Sequence, residues 1–242
     1  MKDCNRIITF HTDRIDNIPC IGIGTYNKSQ KQLTELLIDY PFENLLIDTA
    51  AKYENEHEVG LSLKSLGLHR TQLFVIAKIS YQQQCKNDVK QALSETLSNL
   101  QLNYVDLYLI HSPRNTNRNR TWEQMLRLKE EGLTKEIGVS NFTCEQIEEL
   151  FQISGLYPAA NQIVSHTMQK DYYNKLGQYC KDKRILIQDA QPFGGLPKKF
   201  LSDNYNSILK NNYKQRIVSI FGTTSSNHLK ENISQFLERD MR

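Results

Sequence analysis

Four side chains that could carry out proton transfer lie at the ends of three successive apolar segments. Asp48 and Tyr53 follow the first segment, Lys78 ends the second, and His111 follows the third. Each residue type alone has a common structural role, such as capping a turn, packing in a core or facing solvent. Their joint placement after consecutive segments is harder to explain by packing, and it indicates a site for general acid–base chemistry.

Tyr53 is the candidate proton donor of this group. A free tyrosine has a pKa of about 10 and is a weak acid near neutral pH, so we expect a neighbouring cation to lower that pKa. Lys78 could supply the positive charge, and Asp48 could keep the lysine protonated and in position. His111 could orient a carbonyl oxygen or take part in the proton relay.

The apolar segments are short and are separated by stretches with helical periodicity. Two opening segments, 7–10 and 16–19, predict a β-hairpin. Further strands are predicted at residues 20–24, 45–48, 74–78, 105–110, 137–140, 159–163, 185–187 and 217–221.

Helices are predicted between these strands, because apolar residues recur there at spacings of three and four. Ser29 with Gln32, and Thr143 with Gln146, have the spacing of a capping box at the start of two helices. The predicted helices lie near 29–40, 55–66, 89–100, 122–132, after 143, at 172–179, within 195–217 and at 229–237.

Eight strand–helix pairs predict an α/β fold with a parallel sheet covered by helices. That number closes naturally into a (β/α)8 TIM barrel, here with an N-terminal β-hairpin, and the alternative is an open doubly wound sheet. With 242 residues and no linker-like stretch, we expect a single domain over 1–242. Functional residues of such barrels collect at the carboxyl ends of the strands, where the four acid–base residues are predicted to lie.

The composition limits the partners and the compartment. The net charge is +3, and the only local basic cluster is Arg114, Arg118 and Arg120, so we expect no nucleic acid. We expect no membrane span, since no run of eighteen apolar residues occurs. Five widely spaced cysteines without a Cys-x-x-Cys pair favour reduced thiols and no metal site. With no apolar run like that of a signal peptide, the expected location is cytoplasmic.

Two segments resemble signatures of the aldo-keto reductase superfamily. Residues 48–60, which read DTAAKYENEHEVG, are similar to the first signature, and residues 126–142, which contain KEIGVSNF, are similar to the second. The likeness runs from about Ile18 to Asn232 and includes the sequence GIGT on the first barrel strand. It implies reduction of an aldehyde or ketone by hydride transfer from a nicotinamide cofactor, with the four acid–base residues as the catalytic tetrad and no metal.

The resemblance also implies which residues bind the cofactor. Ser140, Asn141 and Gln162 would hold the nicotinamide carboxamide. The residues predicted to bind the cofactor are Gly24, Thr25, Ser140, Asn141, Gln162, Gln191, Phe193, Gly194, Gly222, Thr223, Thr224, His228 and Asn232. The family favours NADPH, and NADH is an alternative.

Three departures from the family pattern affect these sites. Ala190 stands where the family has an aromatic residue that stacks on nicotinamide. That contact, worth about 1 kcal/mol, is lost unless the ring of Phe193 provides it instead. The cations expected near the adenosine 2′-phosphate are replaced by GTTSSNH at 222–228, where backbone donors and a helix dipole could bind phosphate. The chain ends at Arg242, soon after the last predicted helix, so we interpret the carboxyl-terminal region as truncated and the pocket as open or completed by another chain.

We therefore expect an NAD(P)H-dependent reductase of a small-molecule carbonyl substrate, acting as a monomer or weak homo-oligomer. Tyr26 and Tyr81 are candidate aromatics of the substrate pocket, although packing explains each equally well. The alternative function is a catalytically weak or inactive nucleotide-binding or regulatory protein on the same fold. The altered cofactor positions favour that alternative, and the complete tetrad argues against it.

Overall fold

The computed structural model describes residues 9–38, 40, 44–115, 117–194, 201–223 and 229, with only the backbone of 201–206. The first residues of the predicted hairpin and nearly all of the predicted last helix therefore lie outside the described residues.

The strands of the described residues form a hairpin and a barrel. The hairpin consists of β1 (Thr9–Phe10) and β2 (Ile18–Pro19), which pair antiparallel as predicted. The barrel strands are β3 (Ile21–Gly24), β4 (Leu45–Asp48), β5 (Leu73–Ile79), β6 (Val105–Ile110), β7 (Thr134–Ser140), β8 (Ala160–Ile163), β9 (Leu186–Ala190) and β10 (Val218–Phe221).

The barrel is closed by its last strand. β10 pairs in parallel with β9 on one side and with β3 on the other, and the remaining neighbours are also parallel. An open sheet would leave two unpaired edges, so this closure excludes the doubly wound alternative. The predicted TIM barrel is confirmed.

The α-helices of the described residues lie in the connections between barrel strands. They are α1 (Gln30–Ile38), α2 (Glu56–Ser65), α3 (Tyr81–Lys86), α4 (Val89–Leu100), α5 (Arg118–Glu130), α6 (Cys144–Ser154), α7 (Lys170–Asp182) and α8 (Leu201–Lys214). Both predicted capping boxes form, since the Ser29 N–H donates to Gln32 Oε1 over 3.0 Å and the Gln146 N–H donates to Thr143 Oγ1 over 3.3 Å. None of the helices in the described part of the chain is long and apolar enough to cross a bilayer.

Four elements differ clearly from their prediction, and one of them is α5, which begins at Arg118 rather than near residue 122. The short helix α3 was not predicted, although Ser80 and Gln83 form a capping box at its start. Strand β7 begins three residues early, because Thr134 already pairs with Val105 of β6, and the charged Glu136 forms ion pairs, including one with Lys129 at 2.6 Å. Strand β9 continues beyond Ile187 through two polar residues, whose side chains find hydrogen-bond partners inside the fold.

The barrel interior is tightly filled where β3 and β4 meet. A Cβ atom on Gly22 would lie only 2.0 Å from Leu46 Cδ2, and Leu46 is completely buried. Only glycine therefore fits at this position. The close approach keeps β3 and β4 in register, so that Gly24 pairs with Asp48 at the carboxyl-terminal rim.

Gly22→Ala should lower the free energy of unfolding by about 1–3 kcal/mol, because the added methyl group overpacks the core. Chemical denaturation can be followed by the fluorescence of Trp122, the single tryptophan, which is fully buried.

Leu46→Ala tests whether contact with Leu46 is the reason that Gly22→Ala destabilises the chain. It should destabilise the chain by about 2–5 kcal/mol through the cavity it leaves, but the further change of Gly22 to alanine should then cost much less. An equal cost of Gly22→Ala in both backgrounds would show that Leu46 is not the obstacle.

Candidate active site

The four predicted acid–base residues meet at the carboxyl-terminal rim of the barrel. Asp48 is the last residue of β4, Lys78 is the last but one of β5, and His111 directly follows β6. Tyr53 ends a one-turn 3₁₀ helix (Ala51–Tyr53) that follows β4. Residue 76 of β5 pairs with Asp48, and side chains two apart on a strand share a face, so Lys78 points into the barrel beside Asp48.

Lys78 and Asp48 form an ion pair inside the barrel. Lys78 Nζ lies 2.5 Å from Asp48 Oδ1 and also donates to the carbonyl oxygen of Thr49 over 3.2 Å. Burial alone would lower the pKa of Lys78, but the charges and hydrogen bonds of Asp48 and Tyr53 raise it above its ordinary value. Lys78 therefore stays positively charged.

The Tyr53 hydroxyl lies beside this cation. Lys78 Nζ is 3.4 Å from the hydroxyl oxygen and 5.1 Å from the centre of the ring. The expectation that Lys78 lowers the pKa of Tyr53 below its ordinary value is wrong. Burial raises that pKa by more than the Lys78 charge lowers it. Tyr53 thus keeps its proton at neutral pH and is suited to donate it.

His111 packs edge-on against Tyr53, with ring centroids 5.7 Å apart and planes at 81°. Burial, helped by the charges of Lys78 and Lys52, lowers the pKa of His111 to about 3. The ring is therefore neutral near pH 7. Its buried Nδ1 has no hydrogen-bond partner among the described residues.

Asp48 is held from a second side by the buried amide of Gln162, which also contacts the buried amide of Gln188. Gln162 Nε2, from β8, donates to Asp48 Oδ2 over 2.7 Å and to Gln188 Oε1, from β9, over 3.1 Å. The two oxygens of Asp48 therefore have different partners, Lys78 for Oδ1 and Gln162 for Oδ2. Together with the contact between Lys78 and Tyr53, these hydrogen bonds form one row across the barrel. It consists of Gln188, Gln162, Asp48, Lys78 and Tyr53.

The three residues predicted to hold the nicotinamide carboxamide lie together. Ser140 ends β7, and Asn141 follows it in the left-handed conformation, with φ of 60°. Asn141 Nδ2 donates to Ser140 Oγ over 3.0 Å, and its backbone N–H donates to the Gln162 carbonyl oxygen over 2.8 Å. Hydroxyl and amide groups thus adjoin this row at Gln162.

The segment after β9 turns back onto β10. The Gln191 N–H donates to the Ile220 carbonyl oxygen over 2.8 Å, and the ring of Phe193 packs at 5.6 Å from that of Phe221. Gly194 lies against the imidazole of His166, which occupies the space where a Cβ atom would stand. These contacts place the segment beside the rim.

The predicted phosphate-binding segment is only partly described. Gly222 and Thr223 follow β10, whereas Thr224, His228 and Asn232 lie outside the described residues. A Cβ atom on Gly222 would come within 3.4 Å of Lys28 Nζ, so this amine stands directly beside the glycine.

The loop after β3 is fixed by β4 and by Asn55. Thr25, which follows Gly24, is buried, and its hydroxyl donates to the Asp48 carbonyl oxygen and to Thr49 Oγ1 over 3.2 and 3.0 Å. Asn55 Nδ2 donates to the carbonyl oxygens of Thr25 and Lys28 over 2.8 and 3.0 Å.

The two candidate pocket aromatics differ in their relation to the tetrad. Tyr26 is 61% exposed and packs edge-on against Tyr53 at 5.2 Å, so it lies at the mouth of the site. Tyr81 is 47% exposed at the start of α3, where the Cys85 thiol raises the pKa of its hydroxyl.

Three residues of this rim were given no role from the sequence. Gln188 could have been noticed as a polar residue inside an apolar strand, and Lys28 as the first cation after the strand carrying GIGT. Asn55 lies within the first signature segment, but only the fold shows that it bridges two loops.

His111 should make the free energy of unfolding depend on pH. Its pKa is about 3 in the folded chain and about 6.5 in an unfolded one. The unfolded chain binds the proton first, so stability should fall as the pH decreases from about 6.5 toward about 3. His111→Asn should flatten this fall in denaturant titrations between about pH 7 and 5.5.

Glu56 supplies an opposing control. Burial raises the pKa of its carboxyl to about 7, so lowering the pH from about 7 to about 4.5 adds stability at that residue. Glu56→Gln should therefore steepen the fall. Equal pH slopes for the wild type and His111→Asn would show that folding does not hold His111 neutral.

Comparisons with known proteins show the family of this chain. The sequence model of the aldo/keto reductase family matches residues 22–212. Glycerol 2-dehydrogenase (NADP(+)) of Saccharomyces cerevisiae is 32% identical over 238 residues, covering 84% of this chain and 73% of the relative. Glyoxal reductase of Bacillus subtilis is 36% identical over 177 residues, covering 72% of this chain and 63% of the relative.

A solved structure gives the same result. The aldo/keto reductase of Brucella melitensis superposes with a TM-score of 0.84 at 28% identity, covering 95% of this chain and 93% of the other. The predicted family and enzyme class, an NAD(P)H-dependent oxidoreductase, are confirmed. The chain belongs to the aldo/keto reductase family.

Proposed function

We propose that this protein reduces the carbonyl group of an aldehyde or ketone to an alcohol with NADPH, and that Tyr53 donates the proton. The observation that carries the proposal is the place of Lys78 Nζ, 2.5 Å from Asp48 Oδ1 and 3.4 Å from the Tyr53 hydroxyl. A buried cation fixed beside a phenol stabilises the phenolate that remains after proton transfer. Family membership supports the same class of reaction.

The rim residues fit a nicotinamide group. A carboxamide both donates and accepts hydrogen bonds, and Ser140, Asn141 and Gln162 offer a hydroxyl and two amides. Gln162 Oε1 accepts no hydrogen bond from the described residues, while both hydrogen bonds of its Nε2 are directed to Asp48 and Gln188. The amide is therefore oriented with its acceptor available.

The proton would move along a short path. When bound, NADPH supplies the hydride that reduces the carbonyl carbon. Tyr53 gives its proton to the carbonyl oxygen as negative charge develops there, which yields the alcohol and a phenolate beside Lys78. His111, neutral because of its lowered pKa, orients the carbonyl oxygen by donating a hydrogen bond.

Lys28 with Gly222 and Thr223 would bind phosphate groups of the cofactor. The Lys28 amine is buried, and its one described acceptor is the carbonyl oxygen of Tyr26 at 3.5 Å. Burial lowers the pKa of Lys28, and an adjacent phosphate would favour its charged form again. This amine would replace part of the charge missing from the segment after β10.

NADPH is preferred to NADH because the yeast relative is named for NADP(+). The stacking position remains occupied by Ala190, and Phe193 packs on Phe221. We therefore expect nicotinamide binding to depend more on the carboxamide contacts than on ring stacking.

The regulatory alternative gains no support from the comparisons, since the relatives described above are named for catalytic activities. We also propose a cytoplasmic location and a monomeric or weakly associated state. The described cysteines, Cys20, Cys85, Cys144 and Cys180, are free thiols, as is typical of reducing compartments.

Nucleotide binding and turnover test the proposal together. NADPH and NADH are titrated in parallel while the fluorescence of the reduced nicotinamide is followed, and a reactive aldehyde is then added. We expect tighter binding of NADPH and a fall in reduced-nicotinamide absorbance after the aldehyde. Tyr53→Phe should lower kcat about 10²–10⁴-fold and leave the nucleotide affinity essentially unchanged.

Tyr172→Phe is the matched control, because Tyr172 is an exposed tyrosine on the outer helix α7. Its kcat should equal that of the wild type. Binding without turnover would favour the regulatory alternative, and failure to bind either nucleotide would contradict both functions. A fully active Tyr53→Phe variant would refute the role of Tyr53.

A further inference from the structure

A cleft lies at the opposite end of the barrel from the tetrad. It is bounded by the ends of α7 and α8, the starts of β9 and β10 and the loop after β1, and its volume is about 740 Å³. That volume is in the range of small-molecule sites, about 300–1,000 Å³. The parallel strands place the tetrad at their carboxyl ends, so the cleft is separate from the proposed active site.

The cleft concentrates positive charge. Its lining contains the basic side chains Lys181, Arg184, Lys214 and Arg216 and a single carboxylate, Asp13. The excess of three positive charges equals the formal net charge of the whole chain, +3. Helices α7 and α8 both end here, and their dipoles offset about one charge in total, which leaves a clear positive excess.

The two arginines build one wall of the cleft. Arg184 pairs with Asp13, and Arg216 donates to the His11 carbonyl oxygen over 2.5 Å and lies over the ring of Phe10 at 5.4 Å. These contacts hold the loop after β1 against the barrel. Arg184 and Arg216 therefore both hold this wall in place and supply its positive charge.

Both arginines occupy a backbone conformation that favours glycine. Arg184 and Arg216 have φ of 57° and 58°, two residues after α7 and α8. After α2, α5 and α6, the chain has glycine in this conformation. A side chain there costs about 1 kcal/mol, and after α3 and α4 the chain has the uncharged Asn87 and Gln101 in the same conformation.

The floor of the cleft is apolar and open at Gly177. A Cβ atom on this residue of α7 would meet only Ile187 Cδ1, at 4.0 Å, so no close contact requires glycine. Glycine inside a helix is about 0.5–1 kcal/mol worse than alanine. Its missing side chain leaves room above Ile185 and Ile187, and Tyr173 adds an aromatic surface to the same cleft.

The two lysines are available to a ligand. Lys181 and Lys214 are exposed, and neither forms an ion pair with a carboxylate of the described residues. They stand at the ends of different helices on the rim of one cleft. We propose that this cleft binds a small organic anion, whose charged group lies between the lysines and whose apolar body lies on the floor at Gly177.

Binding of 1-anilinonaphthalene-8-sulfonate to the full chain tests the proposal by calorimetry and fluorescence. We expect saturable binding that weakens with salt. The double variant Lys181→Glu/Lys214→Glu should weaken it at least about tenfold, since each reversal replaces an attraction by a repulsion. The uncharged N-phenyl-1-naphthylamine, with the same rings, should bind more weakly than the sulfonate.

Matched variants locate the site. Lys170→Glu/Lys175→Glu makes the same charge change on α7 outside the cleft and should leave binding unchanged. Gly177→Met should block the floor, whereas Gly177→Ala should bind nearly as the wild type does. Denaturation midpoints from Trp122 fluorescence verify that each variant is folded. Absence of saturable binding, or binding unaffected by both the lysine pair and Gly177→Met, would overturn the proposal.

Discussion

The buried ion pair between Asp48 and Lys78 is the interaction on which the candidate site depends. A single charge inside the barrel would cost several kcal/mol, and only close pairing with further hydrogen bonds offsets that cost. Strands β4 and β5 provide the geometry, because their register places the ammonium 2.5 Å from one carboxylate oxygen. Tyr53 therefore has a neighbouring cation, Lys78, whose charge is already balanced by Asp48.

The second oxygen of Asp48 connects the pair to the opposite wall of the barrel. Gln188 holds Gln162, Gln162 donates to Asp48, and Asp48 holds Lys78 beside Tyr53. The residue proposed to bind the carboxamide is therefore in hydrogen-bond contact with the group that positions the acid. This arrangement would couple the orientation of the cofactor to that of the proton donor.

Local features of the fold and site were readable from the sequence, whereas their long-range consequences were not. The capping boxes, most strand positions and the placement of the tetrad on three strand ends depend on spacing within short segments. The partner of Gln188, the approach of Lys28 to Gly222 and the added helix α3 depend on residues distant in sequence or on helix signals too short to show periodicity. Burial likewise reversed the expected pKa direction of Tyr53, because solvent exclusion is set by the assembled rim.

The pH dependence of kcat for Asp48→Asn tests the central claim most directly. Without the carboxylate, burial should dominate and lower the pKa of Lys78, as it does for buried lysines in general. The variant, verified as folded by Trp122 fluorescence, should be strongly impaired at neutral pH and should recover activity as the pH is lowered and Lys78 regains its proton. A pH profile with the same shape as that of the wild type would contradict the account.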